Sequence, residues 1–370
     1  MKNTSEKSEN HFNNKINNNI DNNKRIANVL NRMNDNGYDG MVVTQFNNIN
    51  YLSNYSPSSF AICLLKEDPI IFATSMDKEL ADNTSSITAK EFKSISDLKK
   101  VFKEEKLEKI AIEGSLPIVS YKKLEADKTK NEHWDLSIVD FLEKERMVKS
   151  KTEISNIKKA TEIAHKSFLE LDIREKQVER FTDWEITYEL GYLMRNNGAD
   201  EESFKTIVAT GQNTSLPHAR CENKELGSIV LMDWGSKYKD YCSDTSRTMI
   251  DDNNNKQKEI FDIVLESYNH AVDGIKPGIK ACEVDKIARS IIEEYGYGDN
   301  FIHSTGHSLG LDVHEKPSIS KKDETILEEN MVITIEPGIY LKGEFGVRIE
   351  DTVIVGKNKG EIIGNLPYDL

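Results

Sequence analysis

Residues 303–315, HSTGHSLGLDVHE, hold three of the chain's eight histidines: His303, His307 and His314. Gly306 and Gly310 interrupt any helix there, so the rings do not share one helical face. Such a cluster is either a chance grouping or a site for ligation and proton transfer. The spacing of His303 and His307 is that of a zinc-binding helix, but position 304 is serine rather than glutamate and a glycine follows, which excludes that reading. Carboxylates give the second signal. In SIVLMDWGSKYKDYCSDTSRTMI (228–250), Asp233 and Asp244 lie on two strand-like runs joined near Tyr238-Lys239. A turn centred between those two residues would make the acids direct partners, with Cβ atoms roughly 5 Å apart on one sheet face. In MVITIEPGIYLKGEFGVRIEDTVIV (331–355), Glu336 and Glu350 are symmetric about Gly343, and Pro337-Gly338 could shift that register.

Opposed carboxylates in apolar strands repel and lose hydration unless something neutralises them. Taken singly, each acid is more often a solvated or turn-capping residue than a ligand. Four of them in two similar hairpins, beside a histidine cluster, fit four oxygen donors and one imidazole around two divalent ions, and the charges balance. Two ions about 3.5–4 Å apart can share a bridging hydroxide, polarise an amide carbonyl and stabilise the oxyanion that follows.

These residues need a scaffold. Ile26, Val29, Leu30 and Met33 recur at helical spacing and predict a helix that stops near Gly37. Strand-like runs follow at 40–44, 49–53, 60–66, 69–73, 107–114 and 136–141. Together they predict an α/β domain over 21–145, preceded by a disordered, Asn-rich tail over 1–20. From about 146 the pattern changes. Ile154, Ile157, Ala160, Ile163, Ala164 and Phe168 form one helical stripe, and Thr182-x-x-Glu185 is a capping-box signature for a helix ending at Gly198. Further helices are predicted around 260–268 and 284–291, with β segments between and after them. The expectation is an α+β domain over 146–370, built on a mainly antiparallel sheet.

Composition narrows the partners. The net charge is −14 over 370 residues, which argues against nucleic acid or an anionic membrane surface. No stretch approaches the ~20 apolar residues of a membrane helix. The four cysteines are scattered without a CxxC pair and suit a reducing cytoplasm, the expected compartment.

The motifs SLPHA (215–219), LMDWG (231–235), YCSDTSRT (241–248), HSTGHSLGLDVHE, TIEPGIY (334–340) and VRIEDT (347–352) closely resemble the pita-bread metallopeptidase family. That family includes prolidase, Xaa-Pro aminopeptidase, methionine aminopeptidase and creatinase, and the likeness runs from about 150 to 366. It implies a catalytic pita-bread domain and five metal ligands, Asp233, Asp244, His307, Glu336 and Glu350, with Asp244 and Glu350 bridging two ions. It also implies that Glu336 transfers a proton from the bridging water to the leaving nitrogen. By the same resemblance His314 contacts the substrate carbonyl, while His303 and His218 line the pocket. Arg348, two residues before Glu350 and on the same strand face by period 2, matches the Xaa-Pro branch. Residues 48–82 resemble the family's non-catalytic N-terminal domain, although SMDKEL (75–80) departs from the acidic-x-Arg-Tyr ending of many relatives.

The implied activity is hydrolysis of the amide bond before proline in dipeptides or short peptides. Manganese is the first expectation for the ions, with cobalt, iron or zinc as alternatives. A homodimer is also expected. Two other readings stand beside this one. A creatinase-like C–N hydrolase would work without metal, and a non-catalytic scaffold would have lost ligands. The intact set of five speaks against both.

Overall fold

The computed structural model describes residues 21–127, 129 and 132–369, so the tail expected over 1–20 lies outside the described residues. The chain divides into two compact units, Met1–Glu145 and Arg146–Leu370. Among the described residues no helix is long and apolar enough to cross a membrane.

In the first unit the chain forms helix α1 (21–35), β1 (Gly40–Val43), α2 (Phe46–Ser53), β2 (Ala61–Leu65), β3 (Ile70–Ala73), α3 (Lys78–Thr84), β4 (Thr88–Glu91), α4 (Ile95–Glu104), β5 (Lys109–Glu113), α5 (Ile118–Leu124) and β6 (Asp135–Val139). The strands make one mixed sheet in the order β4-β3-β2-β1-β5-β6. GMVV, AICLL and IIFA are buried at every position, as strands covered on both faces must be. Their side chains pack with Leu98, Phe102 and Trp134 into one core.

One expectation fails here. INYLS (49–53) reads as a strand but lies in α2, with Ile49 and Leu52 buried three residues apart. The reason lies far along the chain. Glu113, at the end of β5, accepts from the N–H groups of Thr44 and Gln45 at 2.5 and 2.9 Å and from the Asn48 amide at 2.6 Å. A carboxylate 69 residues away thus meets the unpaired N–H groups at the helix entrance, where negative charge is favoured.

Helix α6 (Phe141–Met147) carries the division between the units. The second unit continues with α7 (Lys151–Leu171), α8 (Ile173–Val178), α9 (Asp183–Asn196), β7 (Glu201–Glu202), β8 (Ile207–Thr210), β9 (Val230–Trp234), β10 (Ser236–Tyr238), β11 (Tyr241–Cys242), β12 (Thr245–Met249), α10 (Asn255–Gly274) and α11 (Ala281–Glu294). Strands β13 (Gly306–Ser308), β14 (Glu315–Ile319), β15 (Val332–Ile335), β16 (Gly338–Leu341), β17 (Phe345–Arg348), β18 (Asp351–Val355) and β19 (Gly360–Ile362) complete it. Capping boxes at Ser150/Glu153 and Thr182/Glu185 start α7 and α9. Two helical layers cover two sheets. The apolar stripes of α7 and α9 pack on β8-β9-β12, where Phe168 stacks on Trp234 at 4.5 Å. Those of α10 and α11 pack on β14-β13-β15-β18-β19. The two sheets meet at an isolated bridge between Ser246 and Glu350.

The hairpins test the register argument. The second obeys it: Ile335 pairs with Asp351 and Gly338 with Arg348, so both strand pairs keep the symmetry about Gly343 despite Pro337. The first turns one residue later than expected. Lys239 and Asp240 both adopt left-handed φ (50° and 67°), Tyr238 pairs with Tyr241, and Asp233 faces Ser246 rather than Asp244. Two consecutive left-handed residues match the twist of a two-residue hairpin, and aspartate tolerates that region. Asp244 instead occupies the break between β11 and β12.

Candidate active site

The four acids and one imidazole picked out as ligands come from five separate places in the second unit, and the fold brings them together. Asp233 is the penultimate residue of β9, Asp244 precedes β12, His307 is central in β13, Glu336 follows β15 and Glu350 precedes β18. One ligand atom each from Asp244, His307 and Glu350 lie within 4.8 Å of one another. His307 Nε2 is 3.6 Å from Asp244 Oδ2 and 3.4 Å from Glu336 Oε1. Asp233 joins through Arg348, whose Nη2 donates to Asp233 Oδ2 at 2.7 Å.

Two glycines make this convergence possible. A Cβ on Gly306 would come within 1.9 Å of the Thr334 carbonyl, and one on Gly235 within 1.9 Å of the Ser243 carbonyl. Only glycine lets the strand before His307 close on β15, and lets the strand after Asp233 close on the segment carrying Asp244.

Hydrogen bonding assigns the imidazole protons. His307 Nδ1 lies 3.1 Å from the Ser308 carbonyl, which can only accept, so Nδ1 carries the proton and Nε2 presents a lone pair to the two carboxylates. Burial holds His307 down at about 4, so the ring is neutral near pH 7. A lone pair facing two ionised carboxylates is repulsive unless a proton or a cation lies among them. Desolvation, reinforced by neighbouring carboxylates, pushes Asp244 and Glu350 well above the usual carboxylate range. Burial, opposed by Arg348, lifts Glu336 to about 8.

The unsatisfied atoms give the sharpest test of fit. Asp233 Oδ1, Asp244 Oδ1 and Glu350 Oε1 are buried without a hydrogen-bond partner; among the described residues only Glu143 Oε2 shares that state. Native folds avoid such atoms, and three of them on neighbouring buried carboxylates need a positive partner. Carboxylate oxygens with one imidazole nitrogen form a donor set for divalent ions rather than a thiolate site.

The flanking residues are ordered by further contacts. Arg348, buried in β17, donates to Ser246 Oγ at 2.9 Å, to Tyr340 Oη at 2.9 Å and to the Pro217 carbonyl at 3.2 Å. Ser246 Oγ in turn donates to Glu350 Oε2 at 2.7 Å. His303 Nδ1 donates to the Ser304 carbonyl at 2.8 Å, which leaves Nε2 to accept from Tyr340 at 2.9 Å. Burial, then the charge of Arg348, keeps His303 neutral, at about 4. The His314 ring lies 4.3 Å from that of His307 and is exposed. His218 is exposed as well and bears on His303 and His314 through its charge. Behind His307, Lys149 donates to Ser308 Oγ at 2.8 Å, and Arg146 pairs with Asp312 at 2.6 Å and with Glu315, either side of His314.

Sequence reasoning missed Tyr340, Ser246 and the Arg146/Lys149 pair. A signal existed for the first: with the register symmetric about Gly343, Tyr340 falls on the face of Gly338 and hence of its partner Arg348. Nothing local marks the other three.

The chain belongs to metallopeptidase family M24, whose model matches residues 155–357, the stretch that holds every one of these ligand candidates. The model of the creatinase/prolidase N-terminal domain matches residues 25–148. Its sequence is 40% identical over 342 residues to the Xaa-Pro dipeptidase of Pyrococcus horikoshii, covering 91% of this chain and 95% of that one. Its fold is similar to the crystal structure of the prolidase from Pyrococcus horikoshii OT3, with a TM-score of 0.86, 37% identity and coverage of 94% and 99%. It is also similar to an X-Pro aminopeptidase from Thermotoga maritima, with a TM-score of 0.81, 33% identity and coverage of 90% and 97%. The family and the pairing of an α/β unit with an α+β pita-bread unit therefore stand as the motifs implied.

Proposed function

We propose that this chain is a metal-dependent Xaa-Pro dipeptidase that hydrolyses the amide bond before proline. The observation that carries the reading is that ligand atoms of Asp244, His307 and Glu350 lie within 4.8 Å of one another while Asp233, Asp244 and Glu350 each keep a buried oxygen without a partner. The 40% identity to proteins named Xaa-Pro dipeptidase supports the substrate. Asp233, Asp244, His307, Glu336 and Glu350 would hold two divalent ions, since four carboxylates match four positive charges. Bound there, the ions would activate a water and polarise the scissile carbonyl. Manganese is our first choice, because oxygen donors predominate.

The chain's own groups do the rest. Glu336 takes a proton from the attacking water on a carboxylate oxygen and delivers it to the proline nitrogen as the C–N bond breaks. An Xaa-Pro amide has no N–H, so that nitrogen depends on the delivered proton to leave. His314, exposed beside His307, donates to the carbonyl oxygen as charge builds on it. Arg348 fixes Asp233 directly and Glu350 through Ser246, and the Arg348–Tyr340–His303 chain forms one wall of the pocket. His218, an electrostatic neighbour of both His303 and His314, would line the approach. We further propose a homodimer in a reducing, cytoplasmic setting; the four free thiols support the compartment.

Purified protein assayed on Ala-Pro with added manganese should turn over, lose activity on exhaustive chelation and recover on re-addition. Asp244→Asn should lower kcat by at least about 1,000-fold, comparable to removal of a principal catalytic group. Ala-Pro-Gly run in parallel separates dipeptidase from aminopeptidase. Unchanged activity after chelation would remove the metal from the mechanism.

A further inference from the structure

Beneath the proposed metal ligands lies a second guanidinium that the reaction does not use. Arg247 and Asp351 form an ion pair at 2.8 Å, with side chains only 1% and 2% exposed. All five N–H groups of Arg247 are engaged. Nη1 donates to the Ser246 carbonyl at 2.9 Å and the Glu350 carbonyl at 2.7 Å; Nη2 donates to Asp351 Oδ1 at 2.8 Å and the Leu366 carbonyl at 2.9 Å; Nε donates to the Pro367 carbonyl at 2.9 Å. Asp351 Oδ2 accepts from Tyr268 at 2.8 Å and lies 3.1 Å from the Tyr368 hydroxyl. The Tyr368 ring packs against the guanidinium at 4.7 Å.

The place of this network matters more than its strength. Glu350 lies outside any regular strand and is held to the neighbouring sheet by the single bridge to Ser246, through its N–H to the Ser246 carbonyl at 3.1 Å. Arg247 grips the carbonyls on both sides of that bridge with one nitrogen. Ser246, between them, also holds Glu350 Oε2, while Glu350 Oε1 has no partner. A buried ion pair adds little stability over apolar packing of the same volume. A planar fork with five fixed donors does specify position, which a lysine cannot reproduce.

We infer that Arg247, together with Asp351 and the segment Leu366–Tyr368, is a positioning device that sets the backbone of Glu350 and thereby the affinity of the site for its metal. This rests on the reading of Glu350 as a ligand. Residues more than a hundred positions apart would thus share one task, with the segment 366–368 supplying two of the five acceptors and the covering ring.

The test uses full-length protein, stripped of metal and titrated with Mn2+ while free Mn2+ is followed by electron paramagnetic resonance. Arg247→Lys keeps the charge and loses the fork; Tyr368→Phe keeps the ring and loses the hydroxyl at Asp351. Ile292→Ala, at a buried core position of α11, serves as a control for destabilisation alone. Arg247→Lys should weaken Mn2+ binding by about tenfold or more, as loss of a group supporting a ligand typically does. Tyr368→Phe should weaken it less, in the same direction. At saturating Mn2+ both should regain the parent kcat, with KM for Ala-Pro unchanged. Ile292→Ala should lower the melting temperature and leave Mn2+ affinity alone. If Arg247→Lys does not fold, Tyr368→Phe decides. Mn2+ binding as tight in the folded variants as in the parent overturns the inference while leaving the site assignment intact. A parent that binds no Mn2+ overturns both.

Discussion

Arg348 donates to Asp233, Ser246, Tyr340 and the Pro217 carbonyl from one buried side chain, so it couples two carboxylates to the pocket wall. Lysine carries the same charge on a single atom and cannot span those acceptors. Arg348→Lys should therefore lower kcat/KM for Ala-Pro by about 100-fold, or ~2.7 kcal/mol of transition-state stabilisation. Circular dichroism should stay close to that of the parent, and a loss under threefold would count against the role. The residue types were legible in the sequence, because acids in apolar strands and a histidine cluster are costly without a purpose. Their partners were not. Tyr340 and Ser246 are ordinary strand residues until Arg348 lies against them.

At the scale of elements, the two hairpins show what spacing can decide. Symmetry about Gly343 carries through β16–β17 and on to β15–β18, because the breaks at 336–337 and 349–350 remove the same two residues from each side. The turn at Lys239-Asp240 escaped, since its left-handed pair contains a lysine that no local rule would place there. Close approach at β13 supports a second prediction. Gly306→Ala would drive a methyl group into the Thr334 carbonyl and displace His307. The expected result is about 2 kcal/mol of destabilisation and loss of tight Mn2+ binding, read by denaturant unfolding and metal titration. Thr182→Ala is the contrast: loss of the α9 cap should cost about 1 kcal/mol and leave Ala-Pro turnover unchanged. Equal activity losses in the two variants would contradict this division of labour.

For the whole molecule, opposing titrations shape stability. Burial holds His303 near 4 and His165 near 3, so both are neutral in the fold. The unfolded chain protonates them below about 6.5, and their contribution is lost as pH falls from there through 4 and then 3. Glu336 runs the other way. Lifted by burial to about 8, it favours the metal-free fold while protonated, and that contribution is lost as pH rises from about 4.5 through 8. Asp244 and Glu350 shift in the same direction. Metal-free protein should therefore melt lower at pH 8.5 than at pH 6.5. Added Mn2+ should raise the melting temperature more at pH 8.5, because binding requires ionised carboxylates. Calorimetry of chelated and Mn2+-loaded samples at both pH values checks this; an increment independent of pH would contradict it.

From the chain alone one could obtain the candidate donor residues, the capped helix at Thr182 and the register about Gly343, because spacing and turn chemistry act over a few residues. Tertiary closure decided the rest. Helix α2 exists where a strand was expected because Glu113 caps it from 69 residues away, and Glu350 is held by an arginine that reaches both Ser246 and the segment at Leu366. Hydrogen bonds between residues so distant leave no periodic trace. Whether a buried carboxylate oxygen finds a partner or is left for a cation is known only when every neighbour is in place.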